Sequence, residues 1–259
     1  MTMSKRLDGQ AVVVTGGGSG LGRYIAERLA DEGARVHVCD IDAVALDSLR
    51  TSNRGITTTV ADVSDAEAVN RLFKDALESM GRLTGLVNNC GVAGPVGRVE
   101  TLSPEQWNAA MAINVTGSFL CMQHAIPLLR DAGGGAIVNM SSVAGRVGFA
   151  LRASYCTTKW AVIGLAKAVA QEAGSEGIRV NAVLPGACDT DRLTRVLAAR
   201  APVEGKSVDE LRKEASEICA LQRLIDPAEV AATVAFLISA DGKGITGQAI
   251  SVCGGAIGS

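Results

Sequence analysis

Aromatic residues are scarce in this chain, 3% of its 259 residues, and only two of them are tyrosines. Histidine is scarcer still. His37 and His124 sit near no cluster of other ligands, so no metal site is expected. Neither sign of charge prevails: 25 Lys and Arg stand against 27 Asp and Glu, mixed along the chain, for a net charge of −2. That balance excludes the basic block of a nucleic-acid binder and the acidic run of a solvating tail. No stretch approaches the roughly 18 uninterrupted apolar residues of a membrane span. The opening "MTMSKRLDGQ" turns polar too soon for a secretory signal, and a cytoplasmic protein is expected. The seven cysteines (Cys39, Cys90, Cys121, Cys156, Cys188, Cys219 and Cys253) are odd in number and form no C-x-x-C pair. They read as reduced thiols serving as small buried side chains rather than as a disulfide framework.

What is present is alternation. Short β-branched runs at 11–15, 34–40, 56–63, 83–89, 135–142, 178–186 and from Gln248 onward are separated by longer stretches with apolar residues at helical spacing. The strands are continuously apolar, as strands covered on both faces are. The expectation is an α/β protein: a Rossmann-like, doubly wound parallel sheet of about seven strands with helices on both faces. No linker, repeat or low-complexity tract interrupts it, so one domain spans 1–259. A polar helical insertion at 189–225 reads as two amphipathic helices forming a substrate lid, whose arginines either meet an anionic substrate or lie on a solvated face. With it, 92–99 and 143–152 are expected to line the substrate site, with Arg98, Arg146 and Arg152 interspersed. The helices at 104–132 and 154–174 carry apolar residues around much of their circumference: Trp107, Met111, Phe119 and Leu120 on one, Trp160, Ile163, Leu165 and Val169 on the other.

"TGGGSGLG" (15–22) lies between the first strand and the first helix. A glycine turn there lets a pyrophosphate approach the backbone and rest on the helix N-terminal amides. Asp40 ends the second strand, where a carboxylate accepts the ribose hydroxyls of NAD and repels the 2′-phosphate of NADP. By itself it reads equally as a strand-end cap.

The second tyrosine, Tyr155, stands four residues before Lys159, on the same helix face. An ammonium beside a phenol lowers its pKa from about 10 and makes it a usable base toward an alcohol. Alone, the pair reads as a packing tyrosine beside a solvated lysine. It does not stand alone. "TGGGSGLG", "DV" (62–63), "NNCG" (88–91), "IN" (113–114), "VNMSS" (138–142), "YCTTK" (155–159) and "RVNAVLPGACDT" (179–190) follow in order. In this the sequence resembles the short-chain dehydrogenase/reductase family in its compact single-domain form. Cys90 and Cys188 stand where the family more often has alanine and a β-branched residue.

The resemblance implies an NAD-dependent oxidoreductase that interconverts a secondary alcohol and a ketone, with a sugar, polyol or cyclic alcohol as substrate. A 3-oxoacyl-thioester reductase and a non-catalytic nucleotide-binding protein on the same fold are the alternatives. It implies Tyr155 as the proton-transfer residue, Ser142 as hydrogen-bond donor to the substrate oxygen, and Lys159 as ribose ligand and tuner of Tyr155. Asn114 would hold a water linking Lys159 to solvent. Strand alternation turns Ser141 away from Ser142, so only one of them can serve. For NAD it implies Gly16, Ser19, Gly20, Leu21 and Gly22 in the turn, Asp40 and Ile41 at the ribose, and Asp62 and Val63 at the adenine. Asn89 and Gly91 would lie along the adenosine side, and Pro185, Cys188 and Thr190 near the carboxamide, with Tyr155 and Lys159 completing the set. It also implies a homotetramer.

Overall fold

The computed structural model describes residues 6–257. Seven strands form one sheet in the order β3-β2-β1-β4-β5-β6-β7: β1 Ala11–Thr15, β2 Arg35–Asp40, β3 Ile56–Val60, β4 Gly85–Asn88, β5 Gly135–Met140, β6 Ile178–Pro185 and β7 Ala249–Val252. Every pairing is parallel. The chain runs outward from β1 through β2 to β3, then returns to the other side of β1 as β4. The carboxyl ends of β1 and β4 therefore diverge into a crevice, where such sheets bind ligands.

Period-two alternation sorts the core. Ala11 and Val13 of β1 point to one face and Val12 and Val14 to the other. The helices are α1 Gly20–Asp31, α2 Ala43–Ser52, α3 Ala66–Met80, α4 Pro104–Met111, α5 Gly117–Asp131, α6 Ala153–Ala173, α7 Asp191–Glu204, α8 Val208–Glu217 and α9 Pro227–Ile238. Leu29 of α1, Leu49 of α2 and Val234 of α9 pack on the Val12 face. Leu72 of α3, Leu129 of α5 and Ala166 of α6 pack on the Val13 face. Each large aliphatic side chain buried this way contributes about 1.5–3 kcal/mol.

Most of the strands are shorter than their sequence runs. The ladder of β3 stops at the pair Asp40 and Val60, because Asp62 turns back to accept from the Ser64 backbone N–H and hydroxyl. Strand β4 spans Gly85–Asn88 only. The single helix expected at 104–132 is interrupted. A π-helical turn, Ala112–Thr116, separates α4 from α5 and carries Asn114 at its centre. The whole run Pro104–Asp131 is long and apolar enough to cross a membrane on length and composition. Here Cys121, Met122, Ala125 and Leu129 turn one side of it into the core. Of the apolar residues singled out on these helices, Ile163 and Val169 are buried against the sheet, whereas Phe119 and Trp160 are about half exposed. All seven cysteines are free, and burial pushes the thiols of Cys90, Cys121 and Cys188 up to about 11–12.

Candidate active site

The glycine turn is shaped by space and by Asn89. A Cβ on Gly16, which has a φ of +61°, would lie 2.9 Å from the Cys90 Cα, and one on Gly22 would overlap the Gly16 carbonyl. The Asn89 Nδ2 donates to the Thr15 carbonyl at 3.0 Å and to the Gly16 carbonyl at 2.8 Å. These two bonds brace the turn from the end of β4. Ser19 is the N-cap of α1 but makes no side-chain cap bond. The first-turn amides of that helix are left without a capping acceptor, as an anion site requires.

Asp40 braces the same turn from the second strand. Its Oδ2 accepts from the Gly18 N–H at 3.1 Å and its Oδ1 from the Asp42 N–H at 3.2 Å. Ile41 beside it is 70% exposed, an apolar surface at the rim of the crevice. Val63 is buried in the core against Gly117. Gly91 lies at the other end from Asp40: a Cβ there would meet the Asn114 Oδ1 at 3.0 Å and the Lys159 Nζ at 3.5 Å. Gly91 thus stands beside the lysine, where the chain after β4 passes toward α6.

Helix α6 presents Tyr155 and Lys159 on one face, with the ammonium 5.7 Å from the tyrosine ring centre. Lys159 is 4% exposed and its Nζ donates to the Met140 carbonyl at the end of β5, 2.8 Å away. The two serines that follow Met140 part as strand alternation requires. Ser141 Oγ donates to the Lys159 carbonyl at 2.8 Å and bolts the helix to the strand end. Ser142 faces the phenol and favours its ionised form, while its Oγ accepts from the Ala144 N–H. Burial pushes the Tyr155 phenol up, but Lys159, Arg192, Ser142 and Arg152 outweigh it and hold the phenol below its ordinary value. Burial also lowers the Lys159 ammonium, against the opposing pull of Tyr155.

Asn114 is 1% exposed and its side chain makes three hydrogen bonds. Its Oδ1 accepts from the Val92 N–H at 2.7 Å, and its Nδ2 donates to the Val92 carbonyl and to Thr158 Oγ1, each at 3.0 Å. It ties the segment after β4 to α6 beside the lysine. Pro185 ends β6, and the Cys188 backbone bridges to Ile225. Thr190 caps α7 by accepting from the Leu193 N–H at 3.4 Å.

Two arginines, one from the expected substrate lining and one from the insertion, stand beside the phenol. Arg152, the N-cap of α6, lays its guanidinium over the Tyr155 ring with the carbon 4.6 Å from the ring centre. Arg192, in the first turn of α7, reaches back to donate to the Gly91 carbonyl at 3.0 Å. The expectation of a solvated arginine face suits Arg200, Arg212 and Arg223, which pair with Glu204, Asp189 and Glu229. It does not suit Arg192.

The amide cradle, the ribose-side carboxylate and the lysine with its phenol fit a nicotinamide dinucleotide laid across the β1–β4 crevice. Fold and site together define a dinucleotide-dependent oxidoreductase of the α/β class. Residues 16–256 match the family model described as enoyl-(acyl carrier protein) reductase. The chain is 33% identical over 256 residues to levodione reductase of Leifsonia aquatica, with 96% of this chain and 95% of that one covered. It is 37% identical over 257 residues to the 2,5-dichloro-2,5-cyclohexadiene-1,4-diol dehydrogenase of Sphingobium indicum, with 98% of each covered. The crystal structure of NAD+-bound xylitol dehydrogenase superposes with a TM-score of 0.93 at 29% identity, over 96% of this chain and 99% of that one. The chain belongs to the short-chain dehydrogenase/reductase family. It is an NAD-dependent oxidoreductase that interconverts secondary alcohols and ketones.

Proposed function

We propose that the substrate is a small cyclic alcohol, sugar or polyol and that Tyr155, Ser142, Lys159 and Asn114 carry its chemistry. The observation that supports this most directly is the Tyr155 phenol, lowered by neighbouring cations and faced by Ser142. NAD, when bound, accepts a hydride from the carbinol carbon. Tyr155 takes the hydroxyl proton in oxidation and returns it in reduction. Ser142 donates to the same oxygen and fixes its distance from the phenol. Lys159 serves the nicotinamide ribose and keeps the phenol acidic, and Asn114 holds a water that links Lys159 to solvent. Gly16 to Gly22 and the α1 amides take the pyrophosphate, Asp40 the adenosine ribose, and the backbone around Pro185, Cys188 and Thr190 the carboxamide. Helices α7 and α8 act as the lid over the substrate.

The levodione, chlorinated cyclohexadienediol and xylitol named for the relatives support the substrate class. We also propose a cytoplasmic homotetramer, with the α4–α5 and α6 faces forming one of its interfaces. The test is a panel of cyclic alcohols, sugars and polyols with NAD, followed by nicotinamide absorbance. Turnover confined to secondary alcohols is expected, and no turnover across the panel would count against the reading.

A further inference from the structure

Two cations converge on the phenol without a carboxylate between them. Arg152 is 8% exposed, and its Nη1 is buried with no hydrogen-bond partner. Arg192 places one guanidinium nitrogen on the Gly91 carbonyl, while its Nη2 is likewise buried and unpartnered. Among the described residues neither forms a salt bridge, although most charged side chains of the neighbouring α7 and α8 do. Burying a guanidinium N–H without an acceptor is costly, and such a donor normally marks where an acceptor belongs.

The geometry of the approach is specific. Leu151 holds a φ of +65°, unusual for a side chain other than glycine, and this turn points Arg152 across the face of Tyr155. Arg152 lies on α6, away from the α1 amides that suit a pyrophosphate. Arg192 enters from α7, so the two charges come from the fixed body of the fold and from the insertion above it.

We propose that Arg152 and Arg192 form a clamp for an oxyanion group, a carboxylate or a sulfonate, carried by the alcohol close to its carbinol carbon. This rests on the alcohol dehydrogenase reading and narrows it. Guanidinium forks match such oxyanions in shape as well as charge. Because one arginine belongs to α7, binding the anion also draws the insertion toward the site.

The test begins with binding, so that it stands apart from turnover. The NADH-loaded protein is titrated at constant ionic strength with acetate, methanesulfonate or inorganic phosphate, with chloride as control, and its melting temperature is followed. A saturable rise is expected with acetate or methanesulfonate, and which of them acts tells a planar from a tetrahedral group. Loss of the paired donor should weaken that effect about tenfold or more in Arg192→Met and in Arg152→Met. Arg192 is less buried than Arg152, so its variant keeps the test open if Arg152→Met fails to fold. The second measurement compares kcat/KM for 3-hydroxybutyrate and its methyl ester. The acid is expected to be preferred, through KM, and the preference to collapse in Arg192→Met. Absence of a saturable anion effect, or an effect unchanged in both variants, overturns the clamp. So does an Arg192→Met variant that loses NADH affinity and keeps the anion effect, since the arginine then serves the dinucleotide. Anion binding without turnover of any alcohol would leave the clamp standing and remove the reading beneath it.

Discussion

Tyr155 depends on its neighbours for its acidity. Burial raises a phenol, and here Lys159, Arg192 and Arg152 more than offset it. In oxidation the reactive form is the deprotonated one, so kcat/KM should rise as pH climbs through the lowered pKa and level off above it. In Lys159→Met that step should move upward, because burial is then less opposed. A pH profile for each protein checks this. Tyr155→Phe should cost about 10²–10⁴-fold in turnover while NAD affinity stays within a few-fold. Retained turnover would refute the role. Asp40 is a second residue with a separable job: Asp40→Ala should narrow the preference for NAD over NADP, read from the ratio of the two Kd values. An unchanged ratio would show that the carboxylate only braces Gly18. The residues of this kind that were legible in the sequence are those fixed by spacing along one element, such as Tyr155 and Lys159. Arg152 was legible as part of the substrate lining, but its stacking on Tyr155 was not, since nothing in "FALRAS" signals the positive φ at Leu151 before it. Arg192 was hidden inside a stretch that reads as an ordinary amphipathic helix.

At the scale of elements, the sequence carried the order of strands and helices and lost their interruptions. The run 104–131 has an unbroken helical pattern with no glycine before Gly117. Its π-helical turn arises from a tertiary demand, the three bonds of the Asn114 side chain to Val92 and Thr158. Strand β2 carries another feature that pattern alone does not reveal. His37 is buried where β2, β3 and α3 meet. Its Nε2 lies 3.0 Å from Thr59 Oγ1, which donates to the Asp75 carboxylate at 2.7 Å. Nε2 therefore carries the proton, and Nδ1 accepts from Thr57 or Ser79. Burial lowers the imidazole to about 4, against the pull of Asp75. The unfolded chain takes up a proton near pH 6.5 and the folded one only near 4, so stability falls as pH drops across that window, by about 3 kcal/mol at most. His37→Gln should flatten this slope, and urea midpoints between pH 7 and pH 4 would measure it. An equal slope in the variant would place the acid sensitivity elsewhere.

For the whole molecule, the doubly wound sheet follows from strand–helix alternation and continuously apolar strands, and both were readable before any coordinates. What alternation cannot give is which apolar helix residues face inward. Phe119 and Trp160 stay about half exposed, whereas Ile163 and Val169 close the core. If the exposed pair lies in a subunit interface, sedimentation should give a tetramer, and Phe119→Asp with Trp160→Asp should reduce it to smaller species. A monomer for the parent chain would sink the proposed assembly.

The dipeptide that ends the central part of the sheet also divides labour between mechanics and chemistry. Ser141 fastens the strand to the backbone of Lys159, and its neighbour is left to meet the reactants. That rivet makes the gauge between hydroxyl, phenol and ammonium a property of the sheet. If the insertion works as the proposed lid, its movement leaves the working distances beneath it fixed.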